Sequence, residues 1–122
     1  MLATAFTDLV GCQVPIQQAP MGGISPPALA QAVSRAGGVG TTSVLPGVSV
    51  ENLRAHLDGM AAASSGVLAV NFLTDDLDLK AIELAASRVR VVDFFWSTPR
   101  AGPVEVAHAA GALVNWQIGV GC

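Results

Sequence analysis

Five short, almost unbroken apolar runs pace this chain of 122 residues, at positions 15–19, 38–43, 67–72, 90–96 and 112–118. Their starts recur every ~22 to 29 residues, a period that fits a strand, a turn and a returning helix. The runs are near-continuous rather than alternating, which predicts strands buried on both faces, as in a parallel sheet. Parallel strands cannot be joined by tight hairpins, so the intervening segments must carry the chain back.

Those segments hold helix signals. Ser25 is a suitable N-cap, with Pro26 at the first helical position, where a missing N–H is harmless. Leu29, Val33 and Ala36 then form an apolar face, and Gly37-Gly38 stops the helix. Ser49 caps a second helix with Val50, Leu53, Leu57 and Met60 inward. Asp78 caps a third with Leu79, Ile82 and Ala86 inward, and Pro103 opens a fourth that ends at Gly111. The resulting order, βαβαβαβαβ, is that of a parallel sheet with right-handed crossovers. An open doubly wound sheet and half of a closed barrel share this order. The first strand is followed by no G-x-G-x-x-G, and unusual residues gather at the carboxyl ends of nearly every run, so the barrel is the preferred reading.

Composition agrees. Hydrophobic residues make up 52% and charged residues 12%, against about 25% charged in ordinary soluble domains. The longest apolar stretches fall far short of the roughly 20 residues that span a bilayer, so burial against further structure explains the excess. The first ten residues have no basic segment and include Asp8, unlike a signal peptide. A net charge of −3 with six scattered basic residues argues against a nucleic-acid surface. Cys12 and Cys122 lie far apart without metal-type spacing, which suggests reduced thiols in a cytoplasmic protein.

Candidate functional residues sit after the runs. Gln18-Ala19-Pro20-Met21-Gly22-Gly23 follows the first, where Pro and Gly let the backbone approach a flat ligand, or simply make a turn. Thr41, Thr42 and Ser43 end the second run and begin a loop. Asn71 ends the third, and its buried amide must find partners. In the fourth, one of Phe94 and Phe95 belongs to the core, while Trp96 is core or pocket wall. Asp93 is a buried carboxylate or faces a polar neighbour, and both readings stay open. In the fifth, alternation sends Asn115 and Gln117 to one face. His56 and His108 fall on peripheral helices, as packing or solvent-side residues. Asp75, Asp76 and Asp78 read as a solvated capping loop, and no metal site is expected.

The stretch Pro15-Ile16-Gln17-Gln18-Ala19-Pro20-Met21-Gly22-Gly23, followed by Ala32-Val33-Ser34-Arg35-Ala36-Gly37-Gly38-Val39-Gly40, resembles the opening of the nitronate monooxygenases. The likeness continues through Val70-Asn71-Phe72, Val92-Asp93-Phe94-Phe95 and Ala110-Gly111-Ala112 to Gln117-Ile118-Gly119. A similar opening occurs in flavin-dependent enoyl-acyl-carrier-protein reductases. The resemblance implies an α/β fold, the N-terminal half of a (β/α)₈ TIM barrel, with residues 1–122 as one partial FMN-binding domain. It implies that Ala19, Pro20 and Met21 lie against the FMN ring, with Gly22 in the same turn and Asn71 and Gln117 contacting the cofactor. The implied reaction is oxidation of alkyl nitronates with O₂. The family's basic histidine and phosphate-binding segments would lie past residue 122, leaving the catalytic residue unassigned. Residues 94–100 depart from the family's usual Gly-containing turn. The alternatives are an FMN-dependent enoyl thioester reductase and a non-catalytic half-barrel. A half-barrel alone would expose edges and inward side chains, and self-association is expected of it.

Overall fold

The computed structural model describes residues 2–22, 24 and 26–119. Its elements run α1 (Ala5–Val10), α2 (Pro27–Arg35), β1 (Val39–Val44), α3 (Val50–Ala62), β2 (Val67–Leu73), α4 (Leu79–Ala86), β3 (Val91–Phe95), α5 (Ala101–Ala109) and β4 (Leu113–Gln117). The four strands form one sheet in sequential order, and every pairing is parallel. Sequential order without reversal, with the crossover helices on one face, is the singly wound arrangement that curls toward a barrel.

The convex face holds the main core. Val70, Phe72, Val92 and Phe94 point outward into Leu53 and Leu57 of α3, Ile82 and Ala85 of α4, and Ala107 of α5. Phe94 is fully buried, and its ring lies 4.6 Å from that of Trp116. Burying each such side chain contributes about 1.5–3 kcal/mol. The concave face is filled at its amino end by Val39, Ala69 and Val91 against Val10 and Cys12.

Four runs became β1 to β4, but the first did not become a strand. It meets β1 through a single parallel bridge, Gln17 to Val39, with Val39 N–H donating to Ile16 O and Gln18 N–H donating to Val39 O, both at 2.9 Å. The next N–H on that side of a parallel ladder falls to residue 20, a proline with none to give. Nor do Thr41 to Ser43 begin a loop, since all three lie within β1.

Helix ends follow local chemistry. The Ser49 hydroxyl accepts from Asn52 N–H and the Asp78 carboxylate from Lys80 N–H, as expected of caps. Helix α2 starts one residue later than expected, with Pro26 as N-cap and Pro27 at the first position, and Ser25 lies outside the described residues. Helix α5 begins at Ala101, so Pro103 falls within the first turn, where backbone N–H groups have no helical partner anyway. Ile82 and Ala86 of α4 face inward as expected, joined by Ala81, Leu84 and Ala85, whereas Leu79 is exposed. No helix among the described residues is long and apolar enough to cross a membrane.

The face of α2 also differs from expectation. Leu29 and Ala36 are exposed, and the buried residues are Ala30 and Ser34. The cause is the closeness of helix to sheet. A Cβ on Gly40 would lie 1.8 Å from Ala30 O, and one on Gly66 would lie 2.2 Å from Ser34 O. Only small residues fit along such a contact, and Ser34 uses its hydroxyl to bond Ser64 at 2.7 Å.

Helix α1 carries a capping box between Thr4 and Thr7 and stops at Gly11, whose φ of 87° suits a residue without Cβ. Arg90 donates to its terminal carbonyls, Leu9 O at 2.7 Å and Val10 O at 3.2 Å. A cation there also complements the helix dipole.

These contacts give opposite expectations for two glycines. Gly40→Ala drives a methyl into helix backbone and should cost about 3 kcal/mol or more. Gly59→Ala, on open surface of α3 with no atom within 4 Å of the new Cβ, should stabilise by ~0.5–1 kcal/mol. Urea-denaturation midpoints would read both, and equal effects would contradict the helix–strand contact.

Candidate functional site

Strand register organises the concave face into rungs. Val91 stands opposite Ala69 and Leu113 in an apolar rung. One step toward the carboxyl ends, Ser43, Asn71, Asp93 and Asn115 face one another across β1 to β4. The last rung pairs Leu73, Phe95 and Gln117. Polarity is therefore greatest on the middle rung, one step below the carboxyl ends where a barrel builds its site.

A cleft of about 410 Å³ opens there, lined by Ala19, Pro20, Gly22, Ser43, Leu45, Asn71, Phe95 and Gln117 among others. Met21 does not line it and is 41% exposed. A smaller cavity of about 230 Å³ shares Ala19, Pro20, Asn71 and Gln117 with it and reaches down to Gln17, Asp93 and Asn115. A further cleft of about 390 Å³, between the loops after β1 and β2, shares Val44, Leu45 and Leu73.

Asn71 is 5% exposed and borders both inner cavities. No hydrogen bond engages its side-chain amide among the described residues. Its polar atoms open onto these cavities, whereas the amide of Asn115 donates to Asp93 Oδ1 at 2.8 Å. Gln117 lies on the same face as Asn115, as alternation predicts, with its exposed side chain at the cleft.

Asp93 resolves in favour of polar neighbours. Gln17 Nε2 donates to its Oδ2 and to Thr41 Oγ1, so the carboxylate joins the first segment, β3 and β4. Burial pushes its carboxyl above the ordinary range, and the hydrogen bonds from Asn115 and Gln17 pull the other way. Sequence reasoning singled out neither Gln17 nor the pairing, because the partners lie 76 positions apart.

The turn after β3 is unusual. Phe94 is core and Phe95 faces the cleft, while Trp96 is 56% exposed. Trp96 and Ser97 adopt φ of 72° and 60°, the left-handed region that favours glycine. Each such residue costs roughly 1–2 kcal/mol. Thr74 offsets part of that cost. Its buried hydroxyl lies 3.1 Å from Phe95 O and 2.9 Å from Trp96 O, and it accepts from Ser97 Oγ at 2.9 Å. Arg100 donates to Thr74 O and Trp116 Nε1 to Trp96 O.

Both histidines stand away from the cleft. Half-buried His56 sits 3.2 Å from Thr42 Oγ1 on the convex side of β1, and His108 is exposed in the last turn of α5. Burial lowers the pKa of His56. Asp78 caps α4, as its loop suggested.

The fold is α/β, with four strand–helix units of the TIM-barrel type. FabK from Thermotoga maritima matches 95% of this chain with a TM-score of 0.78 at 23% identity, and the match covers 37% of the FabK chain. The family model for nitronate monooxygenase matches residues 3–78, and the chain belongs to that family. A stretch of 39 residues, 32% of this chain, is 62% identical to a nitronate monooxygenase of Pseudomonas aeruginosa and covers 11% of that protein.

Two expectations follow from this geometry. Thr74→Val keeps the shape but removes the hydroxyl that secures the strained turn, and should cost about 1–3 kcal/mol in chemical denaturation. A loss near zero would mean that the turn needs no such support. For pH, the raised folded pKa of Asp93 means that its favourable contribution is complete below the unfolded carboxylate pKa and is lost as pH rises through the folded value. The lowered pKa of His56 acts on the other flank, with stability present above the unfolded histidine pKa and lost as pH falls through the folded value. Melting curves across pH should therefore lose, in Asp93→Asn, the decline that begins as pH rises past the ordinary carboxylate range and, in His56→Gln, the decline that begins as pH falls past the ordinary histidine range.

Proposed function

We propose that this chain supplies the ring-binding floor of an FMN-dependent oxidoreductase that oxidises alkyl nitronates with O₂. The observation that carries the reading is Asn71, a residue only 5% exposed whose amide has no hydrogen-bond partner among the described residues and opens onto a cleft at the strand ends. Such a group calls for a ligand that both donates and accepts hydrogen bonds, and the polar edge of a flavin ring does both.

The other lining residues suit the same ligand. Ala19 and Pro20 present a short, rigid wall without long side chains, and Gly22 adds none. A Cβ there would stand 3.6 Å from Leu45 and 3.9 Å from Ser43, narrowing the cleft. Gln117 offers a second amide from β4, and Phe95 an aromatic edge. Met21, off the lining, would contribute at most from the rim. A bound FMN would supply the redox chemistry of nitronate oxidation. The protein's part is to hold the ring, fix its polar edge through Asn71 and Gln117, and keep water from its apolar face.

Family membership favours nitronate oxidation over enoyl thioester reduction, since the likeness to FabK bears on fold alone. O₂ uptake with an alkyl nitronate, without nicotinamide, is the expected activity of the full-length protein. Activity that instead requires NADH or NADPH oxidation would overturn it. Asn71→Leu should weaken FMN binding by about ten- to a hundredfold, because the ring's polar edge would be buried unmet. Flavin fluorescence titration measures this, and unchanged affinity would remove Asn71 from the contact. His56→Gln and His108→Gln should leave turnover and flavin content near those of the parent, as both lie outside the cleft.

A further inference from the structure

We propose that Asp93 is a positioning residue that holds the Ala19–Pro20 wall of the cleft in place by gripping Gln17 across the concave face. The segment before that wall is joined to β1 by one bridge, and the ladder ends at Gln18 because residue 20 is a proline. Ala19 and Pro20 thus emerge from the sheet's last anchor directly into the cleft lining.

Gln17 adds a side-chain attachment that reaches across the sheet. Its side chain passes Thr41, to which it donates at 3.3 Å, and reaches the Asp93 carboxylate on β3. The tie therefore spans β1 and β2 rather than joining neighbours. Asp93 is itself fixed by its place in the middle of a strand and by Asn115 at 2.8 Å. Both carboxylate oxygens accept an amide N–H, so the carboxylate links three elements at once. The side chains beside it from the first segment, β2 and β4 are Gln17, Asn71 and Asn115, with Ser43 on the same rung of β1 and Thr41 bonded to Gln17, and none of these titrates. Arg90, at the other end of β3, is engaged with α1. No cation compensates the carboxylate among these neighbours. A cationic partner would be the ordinary way to stabilise a buried acid, so hydrogen bonding to the amides is what the position uses.

An uncharged amide at position 93 retains an acceptor for Asn115 and a donor for a turned Gln17 side chain, whereas an aliphatic group retains neither. This separates positioning from charge and from mere packing. The role in ligand binding rests on the flavin reading above; the mechanical tie does not.

Hydrogen exchange on the full-length protein tests the tie without any ligand. In Asp93→Leu and in Gln17→Leu, the Gln18 N–H should exchange at least about tenfold faster while Val70 in the central strand stays protected, and Asp93→Asn should stay near the parent. Gln17→Leu alters a half-buried residue in the first segment, so it remains informative if Asp93→Leu does not fold. Unchanged exchange at Gln18, or equal acceleration at Val70, in Gln17→Leu would overturn the proposal. FMN titration then reads the consequence. Each leucine variant should bind about tenfold more weakly and the double variant no worse than the weaker single, as expected for two residues acting through one contact. Additive losses would separate the two residues and sink the idea. Should the parent bind no FMN, the flavin reading fails, and the exchange result alone decides whether the tie exists.

Discussion

Register is the constraint on which the concave face depends. Ser43, Asn71, Asp93 and Asn115 stand opposite one another because four parallel strands pair without a slip or bulge between them. A displacement of one residue in any strand would turn its inward set outward, placing Asn71 or Asp93 against the helices and Phe72 or Phe94 toward the cleft. The convex core resists that exchange, since Phe72 and Phe94 are packed among α3, α4 and α5. Packing on one side of the sheet thereby fixes the chemistry on the other.

The same arrangement explains which parts of the molecule were legible in the sequence. Period and apolar content are local, so the four later strands and the caps at Ser49 and Asp78 could be read directly. The parity of Asn115 and Gln117 was likewise a property of one strand. Three features depend on contacts between distant segments and left a weaker trace. The first run looked like the others but lost its ladder to Pro20. Helix α2 buried Ala30 and Ser34 instead of its larger apolar residues, because what decided its face was the lack of side chains on Gly40 and Gly66. The Gln17–Asp93 contact joins residues that no window along the chain would show together. Helix α1 is six residues long, too short for a periodic signal, and its Thr4–Thr7 box was the mark that could have revealed it.

The cleft residues named from the sequence met a mixed fate in space. Ala19, Pro20, Gly22, Asn71 and Gln117 converge on one cavity, although they come from the first segment, β2 and β4. Met21 is adjacent in sequence to two of them and still lies off the lining. The turn after β3 was the place where the family resemblance broke, and there the backbone takes a glycine-like path with Trp96 and Ser97 instead. The substitution of side chain for conformational freedom is tolerated because Thr74, from the neighbouring loop, bonds the carbonyls that the path exposes. Two loops that a sequence treats as independent are thus a single mechanical unit.

Helix α1 has an implication for how the chain is made. Its last carbonyls are held by Arg90, a residue 80 or more positions further along. Short helices are unstable alone, and this one has its apolar partners on β1, β2 and β3. During synthesis α1 leaves the ribosome well before the residues that hold it, and it is therefore among the last of these elements to find its place. It must wait, without a lasting structure, until β3 has emerged and paired. At a few to tens of residues per second, that interval is on the order of seconds. For that time Val10 is without its partners Val39, Ala69 and Val91, so α1 is the element of this fold that waits longest for its packing.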